Sequence, residues 1–267
     1  MKKVLFFLVC LYYASTLSFK IDRVILATDT HLMYMDFWPL VARMWEEIVG
    51  VKPTLAFIAP AGVFIDESLG DVIRFEPIPG VPTSLHAQVI RLLLPAYFPD
   101  DFCIISDIDM IPLSKNYFIE SVQDASCDSF VIFRDQADSY YTENKRYPMC
   151  YNAAKGSIFA EIFDIKNTSD ISTIIQQWYA LEWGWHTDEL ILTQKTNQWN
   201  EKTGRLSKLG HPVTNRIDRS YWSYDINVLH NHGYIDSHLL RPYNEYQKEI
   251  DTLVSHITIV PDFSGTT

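Results

Sequence analysis

The chain has 267 residues, of which 48% are hydrophobic, and its formal net charge is −11. This composition excludes a mainly disordered chain. The acidic charge argues against a nucleic-acid partner, because binding to a phosphate backbone needs a basic surface. An acidic protein that binds a phosphorylated small molecule commonly uses a divalent cation as a bridge, so carboxylates placed to bind a cation are of particular interest.

Residues 1–19 differ in composition from the rest of the chain. Lys2 and Lys3 precede an uncharged apolar stretch, and charged residues resume at Lys20. This layout is typical of a secretory signal peptide. A short membrane anchor is one alternative, although about 16 apolar residues are few for a membrane span, and a buried N-terminal strand or helix is another. The pattern predicts localisation in the secretory pathway, in the ER or Golgi lumen, either secreted or associated with the membrane through this segment.

The first half of the remaining chain alternates between strand-like and helix-like stretches. Strands are predicted at residues 23–28, 54–59, 71–75 and 102–105, and helices at residues 37–49 and 83–97. Such alternation is typical of a doubly wound, mostly parallel sheet that is flanked by helices and binds ligands at the carboxyl ends of its strands. The second half is less regular, with extended segments expected at residues 129–133 and in parts of 149–163, helices at 171–181 and 187–196, and a loop at 204–224. With no repeat or low-complexity linker, residues 20–267 are predicted to form one α/β domain.

Two aspartates directly follow the wholly apolar strand predicted at residues 102–105. In an extended segment, residues i and i+2 point the same way, so we expect Asp107 and Asp109 to converge at the ligand-binding edge of the sheet. Neighbouring carboxylates repel each other unless a cation lies between them. Mn²⁺ and Mg²⁺ accept oxygen ligands, so the pair predicts a divalent cation as cofactor. The alternative is a solvated turn rich in aspartate.

The segment HAQVIRLLLPAYFPDDFCIISDIDMIPL, residues 86–113, resembles a block of the GT-A glycosyltransferases. In that family an arginine-bearing helix with a Leu-Leu-Pro end leads into an apolar strand that carries an Asp-any-Asp motif. The resemblance implies a GT-A-type domain with a Rossmann-like sheet. It also implies that Asp107 and Asp109 bind the metal that bridges the diphosphate of a nucleotide-sugar donor.

The same resemblance assigns residues to the nucleotide. It implies that Arg91 and Gln88 face the nucleotide, and that Thr28 and Asp29, at the end of the first strand, lie near the nucleobase. A salt bridge on the helix surface is the alternative for Arg91.

Two acidic residues begin the helix predicted at residue 187. Thr187 is a suitable helix cap, and negative charge is favoured in a first helical turn, so Asp188 and Glu189 have a purely structural explanation. By similarity to the GT-A enzymes, Asp188 is the first candidate for acceptor binding or proton removal and Glu189 the second. The neighbouring Trp183 or Trp185 could stack on a sugar ring.

A third cluster, near the C-terminus, contains several histidines. Many GT-A enzymes complete the metal site with a late histidine and add a nearby basic residue for phosphate. His238 with Arg241 fits this arrangement best, and His232 is the alternative metal ligand. A histidine in an ordinary hydrogen bond is the structural alternative.

These residues together predict a metal-dependent glycosyltransferase that moves a sugar from a nucleotide sugar to a hydroxyl of a carbohydrate or glycoconjugate acceptor. UDP is the expected nucleotide, because it is common among enzymes of this fold. Glu189 departs from the Asp-Gln pattern of one retaining subgroup, which leaves the stereochemical outcome open. A haloacid-dehalogenase-type phosphatase is an alternative, although its motif continues into Thr or Val, where this chain has Met110 and Ile111. A non-catalytic carbohydrate-binding relative is the other alternative.

Overall fold

The computed structural model describes residues 20–135, 146–211 and 214–257, so the predicted leader at residues 1–19 lies outside the described residues. In the part that is described, none of the helices has both the length and the apolar composition needed to cross a bilayer.

Strands and helices alternate through the first half of the chain, as the sequence predicts. The strands are β1 (Arg23–Asp29), β2 (Lys52–Ile58), β3 (Asp71–Phe75), β4 (Phe102–Ile105), β5 (Met110–Pro112), β6 (Phe130–Ile132), β7 (Asn152–Lys155), β8 (Leu206–Lys208), β9 (Arg216–Asp218) and β10 (Asp236–His238). The helices are α1 (Trp38–Met44), α2 (Thr83–Leu93), α3 (Lys115–Glu120), α4 (Gly156–Ile162), α5 (Ile171–Tyr179), α6 (Thr187–Thr203), α7 (Ile226–His230) and α8 (Gln247–Ser255).

The main sheet has the strand order β3-β2-β1-β4-β7-β6-β8 across the described ranges. Strands β1 to β4 pair in parallel, whereas β7 runs antiparallel to both β4 and β6. Helices cover both faces of this sheet, which confirms the predicted mixed α/β fold. Because β1 and β4 are parallel neighbours, their carboxyl ends lie at the same edge.

Both faces of the central strands are buried, which explains their continuous apolar sequences. Every residue of β1 is buried. Val24 and Leu26 contact one core cluster, which includes Trp38 of α1, and Ile25 contacts the opposite cluster, which includes Val89 of α2. The alternation of side chains along a strand thus supplies two cores from a single apolar run.

A second, smaller sheet begins directly after the segment that carries Asp107 and Asp109. In the described part of the chain it has the order β5-β10-β9, with β10 antiparallel to β5 and parallel to β9. The short connection of residues 106–109 joins β4 of the main sheet to β5 of this one. The second sheet therefore places late parts of the chain beside the end of β4.

Two of the differences between the predicted elements and the structure have a clear physical reason. Helix α2 ends at Leu93 and continues as a 3₁₀ turn to Tyr97, because Pro95 lacks the amide that a further helical turn requires. The loop predicted at residues 204–224 is wrong, since this segment holds β8, β9 and a 3₁₀ turn at Arg219–Tyr221. Strands of three residues are too short to show the alternation from which strands are predicted.

His86 makes the stability of the fold depend on pH. Its side chain on α2 is 2% exposed, neither ring nitrogen has a hydrogen-bond partner among the described residues, and the ring packs edge-on against Phe75. Burial lowers the pKa of His86 from 6.5 to about 4. The unfolded chain therefore binds a proton below pH 6.5 that the folded chain does not bind. We expect the free energy of unfolding to fall by about 3 kcal/mol as the pH drops from 6.5 to 4.

Urea denaturation of the wild type and of His86→Leu, at pH 7.5 and pH 4.5, measures this contribution. The other titrating groups are common to both proteins, so we expect the pH-dependent loss to be smaller in His86→Leu by about 2–3 kcal/mol. Equal losses in the two proteins would contradict a neutral, buried His86.

Candidate active site

An open cavity of about 610 Å³ lies at the carboxyl ends of β1 and β4. The ten principal site residues predicted from the sequence line this cavity, whereas the candidates Trp183 and His232 do not; the roles of the ten stay predictions. They are Thr28, Asp29, Gln88, Arg91, Asp107, Asp109, Asp188, Glu189, His238 and Arg241.

Arg91 connects two of the predicted carboxylates. It projects from the last turn of α2 and is 7% exposed, so the alternative of a helix-surface salt bridge is wrong. Its Nη2 donates to Asp188 Oδ2 at 3.1 Å, and its Nη1 donates to Asp107 Oδ1. Burial alone would lower the pKa of Arg91, but the charges of Asp107 and Asp188 outweigh it and raise the pKa. Arg91 therefore stays charged and fixes both carboxylates.

The two acidic residues at the start of α6 have different surroundings. Asp188 uses both oxygens, because Oδ1 also accepts from the backbone N–H of Glu189 at 2.8 Å. Burial raises the pKa of Asp188, and the charge of Arg91 opposes this increase. The Asp188 side chain is 6% exposed and that of Glu189 is 26% exposed. Glu189 Oε2 lies 3.2 Å from His186 Nδ1 and 3.5 Å from Arg146 Nη1. Glu189 is thus the more accessible carboxylate of the two.

Asp107 and Asp109 lie in a turn, not in the extended segment that was predicted. The Met110 backbone N–H donates to Asp107 O at 3.3 Å. The physical reason is that the chain leaves the main sheet after β4 and changes direction to enter β5 of the second sheet. As a result the two carboxylates line the same cavity but contact different partners: Asp107 contacts Arg91 of α2, whereas Asp109 contacts residues from the end of the chain.

Asp109 is the centre of a cationic group. Its side chain is 5% exposed, and its Oδ2 lies 2.5 Å from Arg219 Nη1, 3.4 Å from Arg241 Nη1 and 3.6 Å from His238 Nε2. Burial would raise the pKa of this carboxyl, but hydrogen bonding and charge from His238, together with Arg219, outweigh it and hold the pKa well below its usual range. Asp109 is therefore ionised at neutral pH.

His238 is held between two carboxylates by the register of the second sheet. It lies opposite Asp218 in the β9–β10 pair, and its Nδ1 is 3.3 Å from Asp218 Oδ2, whereas Nε2 faces Asp109. Burial would lower the pKa of His238, but the hydrogen bond and charge of Asp109 raise it. A histidine whose second nitrogen contacts a carboxylate has the arrangement usual for metal ligands in proteins. The other histidine considered, His232, is exposed and does not line the cavity.

The chemistry of this donor set suits Mn²⁺ or Mg²⁺. Asp107 and Asp109 offer carboxylate oxygens, and His238 offers an imidazole nitrogen that Asp218 orients. The described residues nevertheless contain no group of three or more His, Cys, Asp or Glu gathered closely enough to hold a metal ion. Instead, each aspartate forms an ion pair with an arginine: Asp107 with Arg91, and Asp109 with Arg219.

Another wall of the cavity is formed by the end of β1 and the loop after it. Asp29 Oδ2 accepts from the Thr83 hydroxyl at 2.7 Å, and Oδ1 accepts from the His31 backbone N–H at 3.0 Å. Arg241 Nη1 donates to the Tyr34 hydroxyl at 2.5 Å, and its guanidinium carbon lies 5.1 Å from the centre of the Tyr34 ring. These contacts fix the walls of a pocket beside the cationic group.

Sequence reasoning missed several residues of the site. Tyr34, Arg216 and Arg219 line the cavity, and Asp218 supports His238. The available signal was the run Arg216-Ile217-Asp218-Arg219, in which charged residues surround a single isoleucine that the structure buries. Asn152 and Gly156, which begin β7 and α4, do not line the cavity. Asn152 instead donates to the backbone oxygens of Pro148 and Met149.

The architecture is that of the GT-A glycosyltransferase fold. The structure is similar to the galactosyltransferase LgtC in complex with donor and acceptor sugar analogs, with a TM-score of 0.51 and 13% sequence identity, over 90% of this chain and 98% of that chain. An active-site mutant of LgtC gives a TM-score of 0.51 and 14% identity with the same coverage. The glycosyltransferase GlyE of Streptococcus pneumoniae TIGR4 matches 90% of this chain and 61% of its own, with a TM-score of 0.48 and 11% identity. No protein-family model and no curated protein sequence matches the chain.

Proposed function

We propose that this protein is a metal-dependent glycosyltransferase that moves a sugar from a nucleotide sugar to a hydroxyl of a carbohydrate or glycoconjugate. A UDP-sugar is the first donor to test. The observation that carries the proposal is that Asp107, Asp109 and His238 all line one cavity of a GT-A fold, at the strand ends where such sheets bind ligands. LgtC, which has this fold, was crystallised with donor and acceptor sugar analogs.

The donor would bind with its diphosphate at the cationic end of the cavity. Asp107, Asp109 and His238 would hold Mn²⁺ or Mg²⁺, which supplies charge neutralisation for the departing nucleoside diphosphate. Arg91 keeps Asp107 in place. Arg241 adds positive charge beside Asp109. The nucleoside would lie toward Thr28 and Asp29, which line the cavity at the end of β1.

The acceptor would approach from the side of α6. Both oxygens of Asp188 are engaged, so Asp188 is better suited to positioning Arg91 than to removing a proton. Glu189 is more accessible and lies beside His186 in the cavity wall. We therefore assign Glu189 as the group that accepts the proton of the acceptor hydroxyl, whose oxygen bonds to the anomeric carbon as the bond from that carbon to the diphosphate oxygen breaks. Trp185, which is exposed at the cavity wall, offers a ring face to the acceptor sugar.

The proposal also locates the enzyme in the secretory pathway, from the pattern of residues 1–19 alone. The N-terminal residue of the mature protein, read by mass spectrometry after expression in secretory cells, distinguishes a cleaved signal peptide from a retained anchor.

The test is release of nucleoside diphosphate from a panel of nucleotide sugars, with and without Mn²⁺, by the wild type, Asp109→Asn and Asp128→Asn. We expect Mn²⁺-dependent release from one donor, slow in the absence of an acceptor. Asp109→Asn should reduce this release by about 100-fold, because it weakens binding of the metal ion and thereby lowers the positive charge that stabilises the departing diphosphate.

Asp128 is an exposed carboxylate outside the cavity, so Asp128→Asn is the matched control and should leave release unchanged. The absence of metal-dependent release from every donor, together with the absence of donor binding, would contradict the proposal. It would direct attention to phosphatase substrates and to carbohydrate binding without catalysis.

A further inference from the structure

Three exposed aromatic side chains lie between the end of α5 and the start of α6. Trp185 is 61% exposed and lines the cavity, whereas Trp183 is 39% exposed and does not line it. Tyr179, the last residue of α5, is also exposed. We call Tyr179, Trp183 and Trp185 the aromatic rim. Because Trp185 belongs to both the rim and the cavity wall, the rim continues the cavity outward.

Backbone contacts hold the segment that carries the rim. Gly184, between the two tryptophans, has a φ of 69°, in the left-handed region that favours glycine. The Thr187 hydroxyl of α6 donates to Gly184 O at 2.8 Å, and Gln88 Nε2 of α2 donates to Trp185 O at 3.4 Å. The backbone of the rim is therefore tied to two helices, while its aromatic rings are left exposed.

Packing of the core does not account for the two tryptophans of the rim. Trp178, on the buried face of α5, contacts the Phe163 ring with 6.0 Å between ring centroids. Within the described ranges, neither Trp183 nor Trp185 makes such a ring contact, and neither indole N–H has a hydrogen-bond partner. Each offers an exposed ring face and an unused hydrogen-bond donor, which are the features of a ligand-binding aromatic residue.

The size of the cavity limits how much of an acceptor it can enclose. Its volume of about 610 Å³ lies within the range of about 300–1,000 Å³ that is usual for sites that bind a single small ligand. A nucleotide sugar would fill most of this space, leaving room for the reacting sugar of the acceptor. Any further part of the acceptor must leave the cavity, and on the α6 side it would pass over the rim.

The chemistry of the rim suits sugars better than a lipid surface. A sugar ring has apolar C–H faces that pack on aromatic rings and hydroxyl groups that accept from indole N–H groups. Residues 179–186 contain Glu182 and no Lys or Arg, and the whole chain has a net charge of −11. Binding to an anionic membrane surface needs clustered Lys and Arg, so this segment does not fit such a surface.

We propose that the aromatic rim binds the second and later sugars of the acceptor, so that the acceptor is an oligosaccharide chain and not a free monosaccharide. This inference rests on the proposed function, in which the reacting sugar lies against Trp185 beside Glu189. It adds the length of the acceptor and makes Trp183 a residue that selects for that length.

The test compares binding of oligosaccharides and of the monosaccharides that end them. An array of neutral and acidic glycans, from single sugars to hexasaccharides, first identifies what the full chain binds. Isothermal titration calorimetry then measures the affinity for the best oligosaccharide and for its terminal monosaccharide. We expect the wild type to bind the oligosaccharide at least about tenfold more tightly than the monosaccharide, a gain typical of one additional buried aromatic contact.

Substitutions in the rim should separate the two affinities. Trp183→Ala should weaken binding of the oligosaccharide by about tenfold and leave that of the monosaccharide unchanged, whereas Trp185→Ala should weaken both. Trp183→Phe keeps a ring and should retain most of the affinity, which tests the rim if Trp183→Ala does not fold. Phe64→Ala is the matched control, because Phe64 is 81% exposed and lies outside both the rim and the cavity, and it should change neither affinity.

The outcomes separate this inference from the proposed function. If the wild type turns over a nucleotide sugar but shows no gain in affinity with acceptor length, or if Trp183→Ala keeps that gain, the rim is not an acceptor site and the proposed function stands. If Trp183→Ala instead lowers binding to phosphatidylcholine vesicles, or abolishes a dimer, at unchanged oligosaccharide affinity, the rim has a different occupant and the inference is wrong.

A wild type that turns over no donor and binds no glycan overturns both proposals. A gain with length that Trp183→Ala removes, in a protein that turns over a donor, supports the inference. A purely structural role for Trp183 would lower the affinities for the oligosaccharide and for the monosaccharide together.

Discussion

Replacement of Arg91 by methionine is expected to lower the free energy of unfolding by about 3–5 kcal/mol, because it leaves the buried Asp188 and the partly buried Asp107 without their shared cation. Arg91 is 7% exposed and pairs with both Asp107 and Asp188. The same change should reduce turnover of the nucleotide sugar by roughly 10³-fold, since the loss of a buried charge pair in a binding site costs several kcal/mol and each 1.4 kcal/mol corresponds to a factor of ten.

Urea denaturation and donor turnover measure the two effects. Arg91→Lys keeps the charge but presents a single ammonium in place of a planar fork, so it should retain more stability than Arg91→Met and recover only part of the activity. Arg43→Met, which removes an exposed charge, should change the free energy of unfolding by less than about 0.5 kcal/mol. An Arg91→Met protein as stable and as active as the wild type would show that Asp107 and Asp188 do not depend on Arg91.

Replacement of Asp236 by asparagine is the second change with a large expected effect. Asp236 is fully buried at the start of β10, and its Oδ2 lies 2.9 Å from Arg134 Nη2 and accepts from the Tyr151 hydroxyl at 2.6 Å. Arg216 donates to both oxygens, at 3.0 and 2.9 Å. Burial raises the pKa of Asp236, and Arg134 and Tyr151 oppose this increase. Asp236→Asn keeps the shape and removes the charge that compensates buried Arg134, so we expect a loss of about 3–5 kcal/mol in the free energy of unfolding.

Thermal and urea denaturation test this loss, with Glu161→Gln as the control. Glu161 forms an exposed ion pair with Arg205, and its removal should cost less than about 1 kcal/mol. Arg216 lines the cavity, so Asp236→Asn should also weaken donor binding by releasing that side chain. If Asp236→Asn lowered the free energy of unfolding by less than about 1 kcal/mol, other groups would have to neutralise the charge of Arg134.

The first half of the fold was predictable because its signals are local. Four apolar strands, each ended by a polar or proline-containing segment, define the parallel half of the sheet, and the position of Asp107 after β4 follows from them. The resemblance over residues 86–113 then indicated Arg91. That Arg91 joins Asp107 to Asp188 was not predictable, because the pair with Asp188 connects residues 97 positions apart.

The cation-binding side of the site was only partly predictable for a similar reason. His238 and Arg241 were found by resemblance, but Asp218 and Arg219 lie in a segment predicted to be a loop. Strand β9 has three residues, and it is defined by its pairing with β10, not by its own sequence. The assumption that Asp107 and Asp109 share one extended segment failed because the sequence does not show where a chain passes from one sheet to another.

The contact of Asp109 with Arg219 spans 110 positions of sequence, and this has a consequence for how the protein is made. As the chain leaves the ribosome, Asp109 and the main sheet emerge well before the residues that neutralise this carboxylate. A nascent chain that has already collapsed around β1 and β4 would hold an uncompensated charge at its edge, which disfavours early closure of that edge. The cavity therefore becomes complete only after β10 has been synthesised, when β9 and β10 are available to pair with β5 and with each other. Chains released before β9 would lack Arg219, His238 and Arg241, which line the cavity.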